Sequence, residues 1–333
     1  MVTYRQVGRS IMRTARAIDR DAKRAQRQRL AYEKAAQKQA LLEASADAAQ
    51  EYSQFVDSLT GAHRTAFQRL DWFTIAAREP LPPPVRANDE ETRAREKAAA
   101  FKPSWVDKAM GLEKGKRKKL DEEIANAISR DNATFESLLA NAQRQNDEIK
   151  FAQDLIARDQ ATIEQALTTR SQLGNLPFCV EGLDLLFTDD SRVIAMIDGL
   201  DFEDMPEQSV GLLQSGKASI KQLTRGKALE LHRDNICASA VRVALEILMV
   251  LPIDEVEVVM HTDLLNAATG HIESEPVLYL RVAAQAIASL NLSRTEAAAL
   301  VERLGGHSNW TKRDGFRGIN LGAFNITVGS AGD

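Results

Sequence analysis

The stretch from Ile128 to Ile163 reads ISRDNATFESLLANAQRQNDEIKFAQDLIARDQATI, and an apolar residue recurs in it at every seventh position. These positions are Ile128, Phe135, Ala142, Ile149, Ile156 and Ile163. Most of the neighbouring seam is filled by Ile124, Leu138, Ala152, Ala166 and Leu173, with interruptions at Asp131, Gln145 and Asp159. A seven-residue repeat of this length is typical of a left-handed coiled coil or a long helical hairpin. It predicts a helix over residues 116–173, roughly 85 Å long at about 1.5 Å per residue.

Residues 1–79 are predicted to form the helical partner of this segment. Apolar or small residues recur three or four apart from Val7 to Phe73, with Gly61 as a weak point. The run Pro80-Leu-Pro-Pro-Pro84 ends the helix, because proline lacks the backbone donor and fixes φ. We favour a hairpin in which residues 1–79 fold back on residues 116–173 across an elbow and short helix at residues 80–115. An intermolecular coiled coil, which would make the protein a homo-oligomer, is the alternative.

Residues 177–333 have the pattern of a small domain of alternating strands and helices. Strands are predicted at Leu183–Phe187, Arg192–Ile197, Glu255–His261, Val277–Val282 and Ala323–Val328, and helices at Gly226–Leu251 and Leu292–Leu304. The main order, ββαββα, suits one mixed sheet with helices on one or both faces. The predicted fold class is therefore α+β: a long helical hairpin or coiled-coil arm followed by a small mixed-sheet ββαββα domain.

The composition excludes several classes of protein. Two cysteines, Cys179 and Cys237, are too few for a disulfide framework or a zinc site. The longest apolar run lies within Ser239–Ile253 and contains Arg242 and Glu246, so it is shorter than the ~20 residues of a membrane span. The N-terminus lacks the apolar core of a secretory signal. We expect a reducing, cytoplasmic compartment and no transmembrane segment.

The first forty residues are basic, although the net charge of the chain is −4. At about 100° per residue, seven arginines fall on one face of the predicted helix, and apolar or small residues from Val7 to Ala25 fall on the opposite face. The arginines are Arg5, Arg9, Arg13, Arg16, Arg20, Arg24 and Arg27. A guanidinium group can donate two parallel hydrogen bonds to a phosphate.

This pattern supports a face that binds a polyanion. A nucleic-acid backbone is preferred to an anionic membrane, because alanine buries little apolar area. The competing interpretation is a solvated outer face of a coiled coil, and the sequence alone favours it.

Acidic and histidine residues surround one predicted hairpin turn. His261, Asp263, His271 and Glu273 could ligate a metal ion, although hairpin turns are usually polar in any case. Acids near strand ends also suit a restriction-endonuclease-like core, but the segment 255–257 lacks the lysine of the acid-x-lysine triplet that such an enzyme requires. No catalytic residue is predicted from this region.

Two further motifs are weak. The segment Gly211–Ala218 nearly matches a P-loop, but Ala218 stands where a serine or threonine would reach magnesium. Cys237 lies near the start of a predicted helix and close to His232, where packing in the core is the simpler interpretation. Arg242 and Glu246 are four apart and predict a structural ion pair. We expect no cofactor.

Several stretches resemble a group of uncharacterised bacterial proteins that combine a charged coiled coil, a proline-rich elbow and a C-terminal α/β module. These stretches are Phe101–Gly111, Ser215–Lys221, His232–Ile247 and Leu264–Ile272. The resemblance implies that architecture and a bacterial, cytoplasmic origin. It implies no activity, since the group has none that is known.

The sequence favours a non-enzymatic interaction or scaffold protein. Its basic helical face would bind a polyanion or a partner, and its α/β domain would dock a protein partner. The alternative is a nucleic-acid-acting, nuclease-like enzyme, for example one used in phage defence.

Overall fold

The computed structural model describes residues 4–105, 109–176, 180–188, 192–266 and 268–326, and for residues 4–28 it describes only the helical backbone. The chain mixes helix and sheet, as an α+β protein does, and it forms two compact units. One contains residues 1–67, 173–246 and 254–333, and the other contains residues 68–172 and 247–253. This division differs from the predicted boundaries, because the first long helix belongs with the sheet and not with the heptad-patterned helix.

The second unit is helical. Its helices are α2 (Trp72–Ala76), α3 (Asp89–Ala100), α4 (Glu113–Ile156) and α5 (Gln160–Arg170). The predicted continuous helix over residues 116–173 is therefore interrupted. Arg158 adopts a positive φ of 63°, and the Asp159 side chain accepts a hydrogen bond from the Thr162 backbone at 2.9 Å. The aspartate satisfies an amide at the start of α5, so the chain restarts a helix there.

The apolar seam of α4 packs against α2, α3 and the proline-rich segment between them. Trp72 is fully buried, with its ring centroid 5.6 Å from that of Phe151, and its indole donates to the Val250 carbonyl at 2.5 Å. The Asn146 amide exchanges two hydrogen bonds with the backbone of Leu81, at 2.8 and 2.9 Å. The partner of α4 is thus formed by α2, the proline-rich segment and α3, whereas the prediction assigned that role to the whole of residues 1–79.

Two of the three polar interruptions of the seam close the ends of helices. Asp131 is buried, and its two carboxylate oxygens accept from the backbone N–H groups of Glu90 and Glu91, at 3.4 and 2.9 Å. These amides lie in the first turn of α3, where no intrahelical acceptor exists. Asp159 has the same role for α5, whereas Gln145 is exposed. Asp131 and Asp159 therefore stabilise helix starts.

The first unit holds the long helix α1 (Tyr4–Thr60) and every strand that the structure describes. In chain order its other elements are β1 (Val180–Phe187), β2 (Val193–Gly199), β3 (Gln208–Leu212), β4 (Ala218–Gln222), α6 (Arg225–Val250), β5 (Glu255–Leu265), β6 (Ile272–Ala283), α7 (Ala284–Ala288), α8 (Ala297–Arg303), β7 (His307–Thr311) and β8 (Gly315–Arg317). The strand order of the six-stranded sheet is β1-β2-β5-β6-β7-β8, and β3 and β4 form a separate hairpin. Among the described strand pairs only β2–β5 is parallel, with α6 in the connection between the two strands.

The β1–β2 hairpin, helix α6 and strands β5 and β6 confirm the predicted elements, whereas the later segments differ. The predicted helix over residues 292–304 is a 3-10 turn at Leu292–Arg294 followed by α8, because the backbone at Thr295 and Glu296 is extended. Leu321–Phe324 form another 3-10 turn, so the predicted strand at residues 323–328 does not begin there. Residues 327–328 lie outside the described part of the chain.

The core of this unit lies between the sheet and α6. Residues Ile236, Val243 and Leu245 of α6 are fully buried. Gly199 permits the close approach, because a Cβ atom there would lie 2.5 Å from Cδ1 of Ile236. A second apolar cluster includes Ile194 and Val259 of the sheet with Leu321 and Ile326. Among the helices that the structure describes, none combines the length and apolar character needed to cross a bilayer.

Candidate functional site

The outer part of α1 is an exposed helical arm. The helix is unbroken over its 57 residues, which confirms the helical backbone on which the basic-face prediction depends. From Arg29 to Leu41 every residue is exposed, including Leu30 at 50% and Tyr32 at 79%. The seven arginine side chains of the predicted face, at positions 5, 9, 13, 16, 20, 24 and 27, lie outside the described residues.

The inner part of α1 packs against the β3–β4 hairpin. Ser45 and Leu59 are buried, with 7% and 1% of their surface exposed. Near the hairpin turn, a Cβ atom on Gly216 would lie 3.1 Å from Cδ2 of Leu42. Leu42 therefore marks the point at which the helix leaves the body of its unit.

The end of α1 is held by polar side chains of the core. The Asn235 amide donates to the Leu59 carbonyl at 3.0 Å, and Arg242 donates to the Ala62 carbonyl at 3.4 Å. The Leu59 carbonyl is one of the last of the helix and lacks an intrahelical donor, so the Asn235 bond satisfies it. Arg242 holds the segment just beyond the helix. Arg242 also forms the predicted ion pair with Glu246, at 2.7 Å. The base of the arm is thereby fixed to α6.

His63, just beyond the end of α1, is fully buried and donates through Nε2 to the Thr295 carbonyl at 3.0 Å. Burial is the main cause that lowers the pKa of His63, and the nearby positive charge of Arg64 acts in the same direction. The imidazole is therefore held neutral as a structural donor.

A cleft of about 670 Å³ lies where β2 and β5 end and α6 begins. Ligands of α/β sheets commonly bind at the carboxyl ends of parallel strands. His232 forms part of its wall. Its ring contacts those of Phe202 and Phe316 edge-on, at centroid distances of 6.1 and 5.5 Å, and its Nε2 donates to the Leu200 carbonyl at 2.9 Å. Burial lowers the pKa of His232.

The charges of this cleft are mostly acidic. Its lining includes the carboxylates of Glu203, Asp263, Glu275 and Asp314 and the guanidinium groups of Arg225 and Arg317. Desolvation, followed by the negative charges of Asp201, Asp198 and Glu203, raises the pKa of Asp263. Arg317 is paired with Asp314 at 2.9 Å, and Arg225 lies over the ring of Phe202. The cleft is an acidic hollow with aromatic walls, and the described residues that line it include no Ser, Thr, Cys or Lys nucleophile.

The predicted metal ligands are not assembled by the fold. His261 and Asp263 lie on β5 and Glu273 lies on β6, while His271 precedes β6 in the turn. In the sheet register Asp263 is opposite Ser274, whereas Glu273 is opposite Leu264. Neighbouring positions on a strand point to opposite faces, so Asp263 and Glu273 diverge. Across the described part of the chain, no three His, Cys, Asp or Glu side chains group closely enough to hold a metal ion.

The near P-loop is a β-hairpin turn. Residues 213–217 connect β3 to β4, and the Gly216 backbone has a φ of +78°. The strand that follows replaces the helix whose N-terminus a P-loop presents to phosphate. Cys237 is likewise structural, because burial raises the pKa of its thiol to about 12.

The acids of β5 that suggested a nuclease are held in ion pairs. Glu257 is buried and accepts two hydrogen bonds from Arg192, at 2.7 and 2.6 Å, and a third from the Tyr279 hydroxyl at 3.0 Å. Burial and this carboxylate raise the pKa of Tyr279 to about 12. Glu255 pairs with Arg281. These contacts give both carboxylates a structural role.

Sequence reasoning missed two features of the unit. The aromatic wall of the cleft comes from residues 202, 232 and 316, which no local pattern connects. Lys217 lies within the segment that nearly matches a P-loop, yet the structure places it in the hairpin turn beside α1. The absence of acidic residues between Gln208 and Gln222 was the available signal for a basic hairpin.

Comparisons of the chain with protein-family models, with curated proteins and with solved structures found no match.

Proposed function

We propose that this protein is a non-enzymatic interaction protein whose α1 arm binds the phosphate backbone of nucleic acid without reading its sequence. The observation that carries the proposal is the unbroken helical backbone of α1 through the arginine-rich segment. On a continuous helix, residues three and four apart share a face. The seven arginine positions therefore line one side for about six turns, or roughly 33 Å at about 1.5 Å per residue.

The small side chains of the apolar face support nucleic acid over a membrane. A helix that lies in a bilayer surface buries a face of large apolar side chains such as Trp, Phe and Leu and keeps its cations on the opposite, polar face. In α1 the apolar positions are centred nearly opposite the arginine positions, at about 100° per residue, but three of the six are alanine: Val7, Ile11, Ala15, Ile18, Ala22 and Ala25. Alanine buries little apolar area, so this face would hold a membrane weakly. Phosphate contact through the arginine face does not depend on that burial.

The α/β body supports a docking role and not catalysis. Its acidic cleft has aromatic walls but holds no nucleophile–base pair, and the β5 acids are tied in ion pairs. A buried carboxylate that accepts three hydrogen bonds is a poor metal ligand, because those bonds would have to break. A second, protein-binding role for this body is part of the proposal.

Salt-dependent binding of the full-length protein tests the arm. The probe is a duplex of about 30 base pairs, which at about 3.4 Å per base pair is longer than the arm. We expect log K to fall linearly with log salt concentration. Replacing Arg9, Arg13, Arg16 and Arg20 with Gln should reduce that slope by about 3.6, at about 0.9 per phosphate contact.

The matched control removes the same charge elsewhere. Arg78, Arg144, Arg294 and Arg303 are exposed, and their replacement with Gln should leave the slope unchanged. Equal losses in both variants would show a net-charge effect and reject the arm as the site. Binding to phosphatidylserine vesicles without binding to the duplex would reject nucleic acid as the partner.

A further inference from the structure

The basic face of α1 is continuous with the face that packs on the β3–β4 hairpin. At about 100° per residue, Lys34 and Lys38 fall in the same arc, about 100° wide, as the seven arginine positions. The same arc contains Leu42, Ser45, Ala49, Tyr52, Val56 and Leu59, which are buried or half-buried. One row of positions is thus basic in its outer part and packed in its inner part.

The acids of α1 lie away from this row. Glu43, Asp47 and Glu51 fall in an arc on the opposite side of the helix, at about 100° per residue. The row therefore keeps a positive potential up to the point where it meets the body of the unit. Lys34 and Lys38 are exposed, and within the described residues neither pairs with a carboxylate.

The hairpin on which this row packs is basic, although the segment that precedes it is acidic. Five acids occur between Asp198 and Glu207, but none occurs between Gln208 and Gln222, where Lys217 and Lys221 are the only charged residues. Lys217 is exposed and follows Gly216, which approaches Leu42. Lys38 is one helical turn before Leu42 on the same face, about 6 Å along the axis. Lys38 and Lys217 therefore flank the same junction.

We infer that Lys34, Lys38 and Lys217 form the inner end of the phosphate-binding track, so that nucleic acid bound along α1 continues onto the β3–β4 hairpin. This inference rests on the proposed function and adds to it a second element and a direction. The exposed Leu212 and Leu213, 53% and 51% accessible at the hairpin tip, would then contact the sugar edge or a splayed base. Phosphate contacts position such a track and carry no sequence information.

Lysine removal is the first test, with the same duplex and salt series. Replacing Lys34, Lys38 and Lys217 with Gln should lower the salt slope by about 2 to 3, at about 0.9 per contact. The control replaces Lys102, Lys114 and Lys119, three exposed lysines of the helical unit, and should leave the slope unchanged. Circular dichroism checks that each variant keeps its helix content.

Helical phase is the second test and leaves every charge in place. Two alanines inserted between Ala31 and Tyr32 rotate the outer arginine positions by about 200° relative to Lys34 and the hairpin. A seven-residue alanine-rich insert at the same point restores the phase to within about 20°. We expect the two-residue insert to weaken duplex binding at least about tenfold and the seven-residue insert to keep it within about threefold, because cations must share a face to contact one backbone.

The two proposals fail in distinguishable ways. If the arginine variant loses binding while the lysine variant and the two-residue insert bind like the unaltered protein, the arm binds alone and the hairpin track is wrong. If the unaltered protein shows no salt-dependent binding to the duplex, the proposed function is wrong as well. A phase effect that appears only with phosphatidylserine vesicles would assign the track to a membrane and contradict both.

Discussion

The carboxylate of Asp131 on α4 accepts a hydrogen bond from the backbone amide of Glu91, 2.9 Å away in the first turn of α3. A helix start leaves several amides without intrahelical acceptors. The side chain that supplies the acceptor comes from a different helix, 40 residues later in the chain. One residue thus joins the start of α3 to the middle of α4.

Asp131→Ala should therefore loosen α3 specifically. Loss of a capping acceptor costs about 1–2 kcal/mol, and burial leaves the amides without water. Hydrogen exchange of residues 89–100 should quicken, while Asp131→Asn, which keeps an acceptor oxygen, should have a smaller effect. The exposed Asp121 provides the control, because Asp121→Ala removes the same group from the same helix. Equal protection of α3 in all three variants would contradict the capping role.

Arg192→Met should destabilise the sheet unit by about 2–3 kcal/mol. This value is below the 3–5 typical of a fully buried pair, because the Arg192 side chain is 25% exposed and water screens it. Glu257 would be left buried with only the Tyr279 hydroxyl. The double variant Arg192→Met, Glu257→Leu should recover most of the loss, measured by urea unfolding. Arg281→Met, in an exposed pair, should cost less than about 1 kcal/mol; a similar cost for both single variants would argue against the buried pair.

Cys237 should resist alkylation in the folded protein. Its thiol is buried and its pKa is raised to about 12, so almost no thiolate forms at neutral pH. In a Cys179→Ser background, iodoacetamide should label the protein only after urea is added. Ser215→Cys, in the exposed hairpin turn, supplies a thiol that should react in the native state. Rapid native labelling of Cys237 would overturn its assignment to the core.

Acidification should destabilise the sheet unit through His63 and His232. Burial lowers the pKa of both below the ordinary value of 6.5. The unfolded chain therefore binds more protons, and stability that is complete above the unfolded pKa is lost as the pH falls through that value. We expect the urea midpoint to drop between about pH 7.5 and pH 5.5, the range in which histidines titrate.

The matching variant for this pH dependence is His63→Gln, His232→Gln. Glutamine can donate to the same carbonyls and does not titrate. The midpoint of the double variant should change less with pH than that of the unaltered protein. An identical pH profile would assign the loss to carboxylates instead.

Local periodicity was sufficient for much of the helical architecture. The recurrence of Ile149 and Ile156 predicted α4, and proline predicted the elbow, because both signals act on adjacent turns. The partner of α4 was not predictable in the same way, since an apolar seam accepts several helices of similar shape. The sequence shows that Asp131 and Asp159 interrupt the seam, but not that both residues cap helices. Capping depends on which helix end arrives nearby, and spacing along one helix does not encode that.

The sheet shows the same limit. Dense apolar runs predicted β5 and β6. The segment around Gly216 resembled a phosphate loop, because a hairpin turn and a phosphate loop both place glycine where the backbone turns tightly. The cleft could not be predicted, as its wall joins Phe202, His232 and Phe316 only after the sheet has formed. The basic row was visible in sequence, whereas its alignment with the hairpin required knowing that Ser45 and Leu59 are buried.

The exposure of Arg29 to Leu41 on every side has a thermal consequence. A helix without tertiary neighbours is stabilised by its own hydrogen bonds and propensity, and ordering each residue costs about 1–2 kcal/mol of backbone entropy. Warming should therefore melt this stretch well before the buried part of α1, whose base is held by Asn235 and Arg242. The length of ordered arm would then shrink with temperature while the body stays intact. A ligand that binds only the helical form of the arm would stabilise that form. The affinity of this ligand would fall on heating before the sheet unit unfolds.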